Sequence, residues 1–296
     1  MSFSVDDELP TQATQQTNNK NLKFLSPNYK SEQNSQQTLN LFQKEIEKIS
    51  ADATDIEFSV YFRDLNNGPW LSYNSINMFD GASLLKVPVM IAYLKAAETN
   101  PELLNMEVTY LDSFTEEAGY DPAFDQNLKI GNKYTIKQLI EIMIKKSDNT
   151  AKNILQLNAQ KLNITPDIET TYEFLGLLKE DASNTNIISI EQYAGIFRIL
   201  YNAEFLNGEM SNKALEIMSQ TDYNNGLTKY KNPDLTISHK YGVRFFEGDQ
   251  IHQVHDCGII YKNNPYILCI MTNGKNKEKQ ENLIANIAKL SFELFK

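Results

Sequence analysis

Cysteine, positive charge and long hydrophobic runs are all scarce in this sequence. The two cysteines among 296 residues, Cys257 and Cys269, are too few for a disulfide framework. They fall on adjacent predicted strands, where the register decides whether they face each other. We expect two reduced cysteines in the core.

The balance of charge argues against a nucleic-acid partner. The chain has 38 acidic residues against 28 lysines and arginines, a formal net charge of −10, so no cationic surplus is available to neutralise phosphates. No apolar run approaches membrane-spanning length, and no signal-peptide pattern opens the chain. His239, His252 and His255 lack the helical ligand spacing of a zinc hydrolase, so we expect neither a metal nor a cofactor.

Composition divides the chain into a tail and one domain. Residues 1–34 are rich in Gln, Asn, Ser and Thr and have few apolar anchors, so they cannot bury enough surface to offset the entropy lost on ordering. We therefore predict a flexible polar tail or linker over residues 1–34 and a single domain over residues 35–296.

Strand patterns occur at both ends of the domain, and helical patterns fill its middle. We predict strands at residues 56–63, 69–73, 236–243, 253–261 and 266–272. We predict helices at residues 36–50, 81–97, 135–146, 165–176, 189–201 and 281–295, with another beginning near Ser211. This order indicates an α+β fold with three α/β/α layers, in which a five-stranded antiparallel sheet is flanked by the terminal helices and carries an inserted all-helical lobe. A site would lie in the cleft between the sheet and the lobe.

The helix predicted at residues 81–97 is apolar on nearly every face, which indicates burial. Ser83 and Lys86 are the polar groups near its start, and at a spacing of three residues they share one face of the helix. Because a buried lysine is costly without a partner or a role, the pair is typical of an activated serine. The alternative is a serine that only caps the helix, and the Ser-x-x-Lys pattern alone is weak.

Two further motifs follow along the chain, each on an element that suits it. Ser147-Asp148-Asn149 lies between two helices of the lobe, and His239-Lys240-Tyr241-Gly242 lies on a late strand. Taken alone, the first is explained by helix capping and the second by a solvated strand lysine before a bulge glycine. The order Ser-x-x-Lys, Ser-Asp-Asn, Lys-x-Gly is much harder to obtain by chance.

On these three motifs the sequence resembles a class A β-lactamase-type serine hydrolase, of the superfamily that includes the penicillin-binding D,D-peptidases. The resemblance extends from about residue 36 to the end of the chain. It implies that Ser83 is the acylated nucleophile and that Lys86 is its base or proton relay. It further implies that Ser147 passes a proton to the leaving nitrogen, that Asn149 holds the substrate's side-chain amide, and that Lys240 supplies positive charge to Ser147 and to the substrate carboxylate.

The resemblance also implies that the strand with the Lys-x-Gly motif contacts the substrate. The oxyanion hole would be formed by the backbone N–H groups of Ser83 and of Val243, the residue after Gly242. The sequence departs from the family at Tyr241, where a small hydroxyl residue usually helps to bind the substrate carboxylate and where a phenol is too long to place its oxygen at the same point. Arg244 is the nearest replacement for that contact.

A second departure concerns the step that releases the acyl group. β-Lactamases of the family have a long Ω-shaped loop with a Glu-x-x-Leu-Asn motif, whose glutamate activates water. Here residues 177–188 fill that space without the motif, and Glu180 and Asp181 are the only carboxylates there. We interpret both as solvated loop charges, so we expect ready acylation and slow deacylation.

These features leave three functions open. The first is a β-lactamase-type hydrolase that opens β-lactams or related amides, and the second is a cell-wall D,D-peptidase, which does without the Ω-loop glutamate. The third is a catalytically silent protein that binds a wall peptide or a protein partner, and the costly buried lysines argue against it.

The expected ligand is a small β-lactam or a D-Ala-D-Ala-like peptide, bound by a monomer. The resemblance implies a location in the cell envelope, with the cytoplasm as the alternative because no signal peptide is recognised.

Overall fold

A computed structural model describes residues 29–66, 68–111, 127–177, 186–246 and 251–295. The strands are β1 (Ile56–Asp64), β2 (Trp70–Tyr73), β3 (Met78–Asp80), β4 (Glu107–Thr109), β5 (Lys133–Thr135), β6 (Ile187–Ser189), β7 (Thr236–Phe246), β8 (Ile251–Tyr261) and β9 (Tyr266–Gly274). The α-helices are α1 (Tyr29–Asp52), α2 (Lys86–Ala97), α3 (Ile136–Lys145), α4 (Asn149–Ala159), α5 (Ile168–Phe174), α6 (Ile190–Tyr201), α7 (Gly208–Ser219) and α8 (Lys277–Leu294). Two 3₁₀ turns, η1 (Ala82–Leu85) and η2 (Pro101–Asn105), lie on either side of α2.

Five of the strands form one antiparallel sheet in the order β2-β1-β9-β8-β7. β1 pairs with β9 along its whole length, from Ile56 opposite Gly274 to Asp64 opposite Tyr266, so the two ends of the domain meet in the middle of the sheet. β7 lies at one edge and pairs with β8. This confirms the predicted α+β fold and its five-stranded antiparallel sheet.

The sheet separates two hydrophobic cores. On one face, α1 and α8 bury Phe42, Ile46 and Ile284 against the strands. On the other face, the helical lobe packs around α2, in which every residue except Lys95 is buried. A helix without a polar face has to be surrounded in this way, as its sequence predicted.

Local capping signals fix several of the helix ends. Thr135 and Ser189 each form a capping box with the glutamine three residues later, at the starts of α3 and α6, close to where these helices were predicted to begin. α7 begins at Gly208, three residues before the predicted Ser211, because the Asn207 side chain accepts a hydrogen bond from the backbone N–H of the third helical residue.

Other elements differ from the prediction. The helix predicted at residues 81–97 opens with η1, so its α-helical part begins at Lys86. α1 begins at Tyr29, so residues 29–34 of the predicted tail are helical, and residues 1–28 lie outside the described residues. The short strands β3 to β6 were not predicted. Among the described helices, none is both long and apolar enough to cross a membrane.

The prediction of two reduced cysteines is wrong. Cys257 on β8 lies directly opposite Cys269 on β9, and the two form a disulfide with a Cα–Cα distance of 3.9 Å. Because directly opposed residues on antiparallel strands project to the same face, this register brings both sulfur atoms together in the core on the lobe side.

Candidate active site

Ser83 lies in a tight turn held against the edge strand of the sheet. It is the second residue of η1 and follows Ala82, whose φ of +45° is in the left-handed region. The Asp80 side chain stabilises this turn, because its Oδ1 accepts a hydrogen bond from the Ala82 N–H at 2.8 Å. η1 packs on β7 at Gly242, where an added Cβ would lie 3.2 Å from the Leu84 backbone nitrogen. A glycine at this point of the Lys-x-Gly motif therefore lets the turn approach the strand closely.

Lys86 joins Ser83 to Ser147. Its Nζ lies 2.9 Å from Ser83 Oγ and 3.3 Å from Ser147 Oγ, and it also donates to the Ser147 carbonyl oxygen. The Lys86 side chain is only 2% exposed. Ser83 does not cap the helix, since the residue before η1 is Gly81 and no side-chain cap is formed there. The structure thus brings the predicted nucleophile and the predicted base into contact.

Ser147 lies between α3 and α4 and has a φ of +55°, also in the left-handed region. Lys240 Nζ donates to Ser147 Oγ at 2.8 Å, so this hydroxyl contacts two lysines. The next residue, Asp148, caps α4 by accepting a hydrogen bond from the Ala151 N–H at 2.7 Å. The capping explanation of this motif is therefore correct for Asp148, whereas Ser147 faces the lysine pair.

Lys240 is fully buried, which rules out the alternative of a solvated strand lysine. Burial lowers the pKa of Lys240 well below its ordinary value, and the nearby charge of Lys86 lowers it further, while Asp256 acts in the opposite direction. Asp256 is also buried and lies 2.8 Å from His239, Oδ1 to Nδ1. Because two ammonium groups on one hydroxyl repel each other, the lysine pair favours the loss of one proton.

A cavity of about 270 Å³ opens beside Ser83. Its lining consists of Asp80, Ala82, Ser83, Leu85, Lys86, Asn149, Lys152, Gln156, Tyr172, Asn186, Val243 and Arg244. Three of the predicted substrate-binding residues, Asn149, Val243 and Arg244, thus share the cavity with the nucleophile. Arg244 Nε is buried and has no hydrogen-bond partner among the described residues. A larger cavity of about 670 Å³ lies between α6, α7 and the start of β7, and its lining includes none of the predicted site residues.

Tyr241 and Gly242 do not belong to the described cavity lining, unlike Asn149, Val243 and Arg244. The Tyr241 ring is buried and stacks on Tyr223, with 4.0 Å between ring centroids. The hydroxyl of Tyr223 in turn donates to Glu281 on α8 at 2.9 Å. Lys240 Nζ lies 4.2 Å from the centroid of the Tyr241 ring. Substrate binding by Tyr241 stays a prediction, and its ring packs between β7 and Tyr223.

Several residues of the cavity were not predicted from the sequence. Lys152 and Gln156 follow Asn149 on α4 at spacings of three and seven, so helical periodicity places all three on one face. Tyr172 belongs to α5, and its hydroxyl donates to the Leu85 carbonyl oxygen at 2.5 Å. Burial raises the pKa of Tyr172, which keeps this donor protonated. Periodicity could have identified the α4 residues, but no sequence pattern points to Tyr172.

Carboxylates able to activate water are scarce in the described part of the cavity. Asp80 is the one carboxylate in that lining, and its Oδ1 is engaged by the Ala82 N–H. Glu180 and Asp181 lie outside the described residues. Within the described ranges, no group of three or more His, Cys, Asp or Glu residues could hold a metal ion.

Comparison with solved structures identifies proteins that share this fold. PBP-A matches with a TM-score of 0.71 at 22% identity, over 87% of this chain and 96% of its own. The TLA-1 extended-spectrum β-lactamase matches with a TM-score of 0.73 at 18% identity, over 86% of this chain and 98% of its own. At these identities, the likeness shows the fold alone.

Sequence comparison gives the family. A β-lactamase of Streptomyces fradiae is 28% identical over 101 residues, and one of Streptomyces albus G is 28% identical over 105 residues. Each alignment spans about a third of this chain and 33% of the relative's length. The profile of the β-lactamase enzyme family matches residues 41–295. Since that match covers most of the chain, the protein belongs to the β-lactamase enzyme family.

Proposed function

We propose that this protein is a serine hydrolase that opens β-lactam or related amide bonds through an acyl-Ser83 intermediate. The observation that carries the proposal is the cluster in which Lys86 contacts both Ser83 and Ser147 while Lys240 contacts Ser147. Lys86, Ser147 and Lys240 are all buried. Two buried lysines beside each other destabilise a fold. A role in proton transfer would explain why this cost is tolerated, which supports a reaction at Ser83.

The acylation step follows from these contacts. Ser83 Oγ attacks the carbonyl carbon of the substrate while its proton passes to the neutral amine of Lys86, 2.9 Å away. The new C–O bond forms as the carbonyl electron pair moves onto oxygen. When the C–N bond breaks, Ser147 Oγ gives its proton to the leaving nitrogen and is reprotonated from the lysine pair. Burial and the charge of Lys86 lower the pKa of Lys240, so the pair readily loses one proton, and proton exchange through the shared Ser147 hydroxyl would place the neutral amine on Lys86.

The developing oxyanion would be bound by the backbone N–H groups of Ser83 and Val243. Both residues line the same cavity, and the missing side chain at Gly242 allows η1 to lie directly on β7. Removal of one such donor typically reduces a rate by about 10²–10³-fold, so the spacing between η1 and β7 is important for the rate.

Slow release of the acyl group is part of the proposal. The sequence lacks the Glu-x-x-Leu-Asn motif, and the one described carboxylate of the cavity lining, Asp80, is engaged within the nucleophile turn. General-base assistance is typically worth about 10²–10⁴ in rate, so its absence leaves a long-lived acyl-enzyme. A variant of PBP-A, which shares this fold, has been captured as an acyl-enzyme complex with penicillin G.

The same observation supports a second candidate, a D,D-peptidase acting on a D-Ala-D-Ala-like wall peptide. Such an enzyme uses the same acylation groups, and its acyl-enzyme does not require the Ω-loop glutamate. Catalytic silence is the less favoured alternative, because Ser83, Lys86 and Ser147 retain their mutual contacts.

Intact-mass spectrometry over time separates these three functions. The protein is mixed with benzylpenicillin, and the mass increase of the acyl adduct and its decay are followed. We expect rapid formation and slow decay, and we expect Ser83→Ala to form no adduct while keeping its fold by circular dichroism. Cleavage of an acyl-D-Ala-D-Ala peptide by the wild type would favour the peptidase.

Two results would contradict the proposal. Undiminished labelling of Ser83→Ala at another residue would remove Ser83 as the nucleophile. Complete absence of an adduct with a panel of β-lactams, together with no cleavage of the peptide, would favour the silent binding protein.

A further inference from the structure

The turn that carries Ser83 rests on two neighbouring strands, β7 and β8. On β7, Gly242 leaves room for η1, since an added Cβ would lie 3.2 Å from the Leu84 nitrogen and 3.3 Å from the Ala82 Cβ. Directly opposite Gly242, on β8, lies His255. Cross-strand partners project to the same face, so the His255 side chain points to the side of the sheet on which the turn lies.

Two side chains of β8 hold the backbone at the start of this turn. Gln253 Oε1 accepts a hydrogen bond from the Asp80 N–H at 2.8 Å, and His255 Nε2 lies 2.9 Å from the Asp80 carbonyl oxygen. The other ring nitrogen of His255 accepts from the Thr272 N–H on β9 at 3.2 Å, which leaves the proton on Nε2 to be donated to Asp80. Both backbone polar groups of Asp80 are thereby bonded to the sheet, three residues before the nucleophile.

We propose that Gln253 and His255 are positioning residues, which fix the Ser83 turn relative to β7 and so set the geometry of acylation. This inference rests on the proposed function of Ser83. The residue opposite Val243 in the register is Val254, which lies between Gln253 and His255 in the sequence. The same stretch of β8 therefore contacts both elements of the site. β7 supplies the Val243 N–H as one oxyanion donor, and the turn supplies Ser83 as the nucleophile and as the other donor.

Small displacements of this turn matter because attack requires the hydroxyl, the base and the oxyanion donors to meet one carbonyl group. A misplacement of about 1 Å can reduce a rate by about a hundredfold. Without the Gln253 or His255 contacts, the left-handed residue Ala82 could relax toward an ordinary conformation and carry Ser83 with it. We expect the loss of either contact to slow acylation between about tenfold and about a hundredfold.

Paired variants test the contacts one at a time. Gln253→Met removes the acceptor at similar length, and Gln253→Glu restores an acceptor. His255→Phe keeps a ring against Phe79 but removes its polar atoms, and His255→Gln restores an N–H donor. The matched control is Gln138→Met, because Gln138 Oε1 also accepts a hydrogen bond from a backbone N–H, at 2.9 Å, in a capping box on α3.

The readout is the acylation rate of full-length protein by a fluorescent penicillin, measured against probe concentration at a temperature where every variant is folded. We expect Gln253→Met and His255→Phe to lower the saturating rate constant, with the half-saturating concentration changed less than about twofold. His255→Gln should recover most of the lost rate. Gln253→Glu is judged by hydrogen exchange alone, because its carboxylate lies opposite Arg244 and would interfere with binding of the substrate carboxylate. Gln138→Met should lower the melting temperature without slowing acylation.

Hydrogen exchange of the peptide that spans residues 78–86 is followed on the same proteins without a β-lactam, which separates this inference from the proposed function. Faster exchange in Gln253→Met, reversed in Gln253→Glu, supports the positioning role even if the wild type is not acylated. Unchanged exchange overturns the inference. A loss of acylation rate that Gln138→Met shows equally, or that His255→Gln does not recover, also overturns it.

Discussion

The stability of this protein should depend on pH through one buried histidine. The ring of His255 is fully buried, and this burial lowers the pKa of His255 from 6.5 to about 4. Between these two values the unfolded chain binds more protons than the folded protein, so the free energy of unfolding decreases as the pH is lowered. With a His255 pKa of 6.5 in the unfolded chain and about 4 in the folded protein, the free energy of unfolding falls by about 2 kcal/mol from pH 7 to pH 5. From pH 7 to pH 4 it falls by about 3 kcal/mol.

Urea unfolding of the wild type and of His255→Gln, followed by circular dichroism at several pH values between 4 and 7, measures this contribution. Other groups titrate in this range, so the informative quantity is the difference in pH dependence between the two proteins. The variant should be less stable at pH 7 and should lose less stability on acidification. His252→Gln, on the same strand but only partly buried, controls for the removal of a histidine as such. If His255→Gln keeps the full acid dependence of the wild type, the assignment of a buried neutral imidazole is wrong.

Three other predictions concern the substrate, the release of the acyl group and the disulfide. Arg244→Ala should weaken acylation by carboxylate-bearing β-lactams more than Tyr241→Phe does, since a charge-assisted contact is worth about twice a neutral one, and equal effects in labelling kinetics would contradict this. Changing Glu180 and Asp181 together to their amides should barely alter the decay of the acyl-enzyme, whereas fast nitrocefin turnover that this double variant abolishes would reveal a base in their segment. Thiol titration of the unfolded protein without reductant should find no free cysteine, and two titratable thiols would contradict the disulfide.

The sequence was sufficient to predict the fold and the central contacts of the site. Alternating apolar patterns at both ends of the domain predicted the strands of the sheet. The predicted contact between Ser83 and Lys86 is formed although the turn that carries Ser83 is 3₁₀ rather than α-helical. The Ser-Asp-Asn and Lys-x-Gly motifs lie far apart in the chain, yet Lys240 reaches Ser147 at 2.8 Å. These contacts were predictable because the three motifs together match a family pattern that implies them.

Features that depend on register and on tertiary contacts were not predictable. The two cysteines face each other because β8 and β9 pair with one particular register, and a shift by one residue would separate them. The left-handed conformation of Ser147 and the capping role of Asp148 depend on how α3 and α4 pack, and the motif alone does not distinguish them. Gln253 and His255 form no motif with Asp80, which lies more than 170 residues earlier in the chain.

The surroundings of Lys240 limit how this site can bind a substrate carboxylate. Lys240 Nζ donates one hydrogen bond to Ser147 Oγ and another to the Tyr241 carbonyl oxygen, both at 2.8 Å. The Tyr241 ring, fixed by its stacking on Tyr223, lies beside the same nitrogen. Lys240 is therefore suited to proton exchange with Ser147, and its aromatic neighbour takes the place of the usual small hydroxyl. Arg244 lines the cavity and has a buried Nε without a hydrogen-bond partner among the described residues, so we expect the substrate carboxylate to bind there.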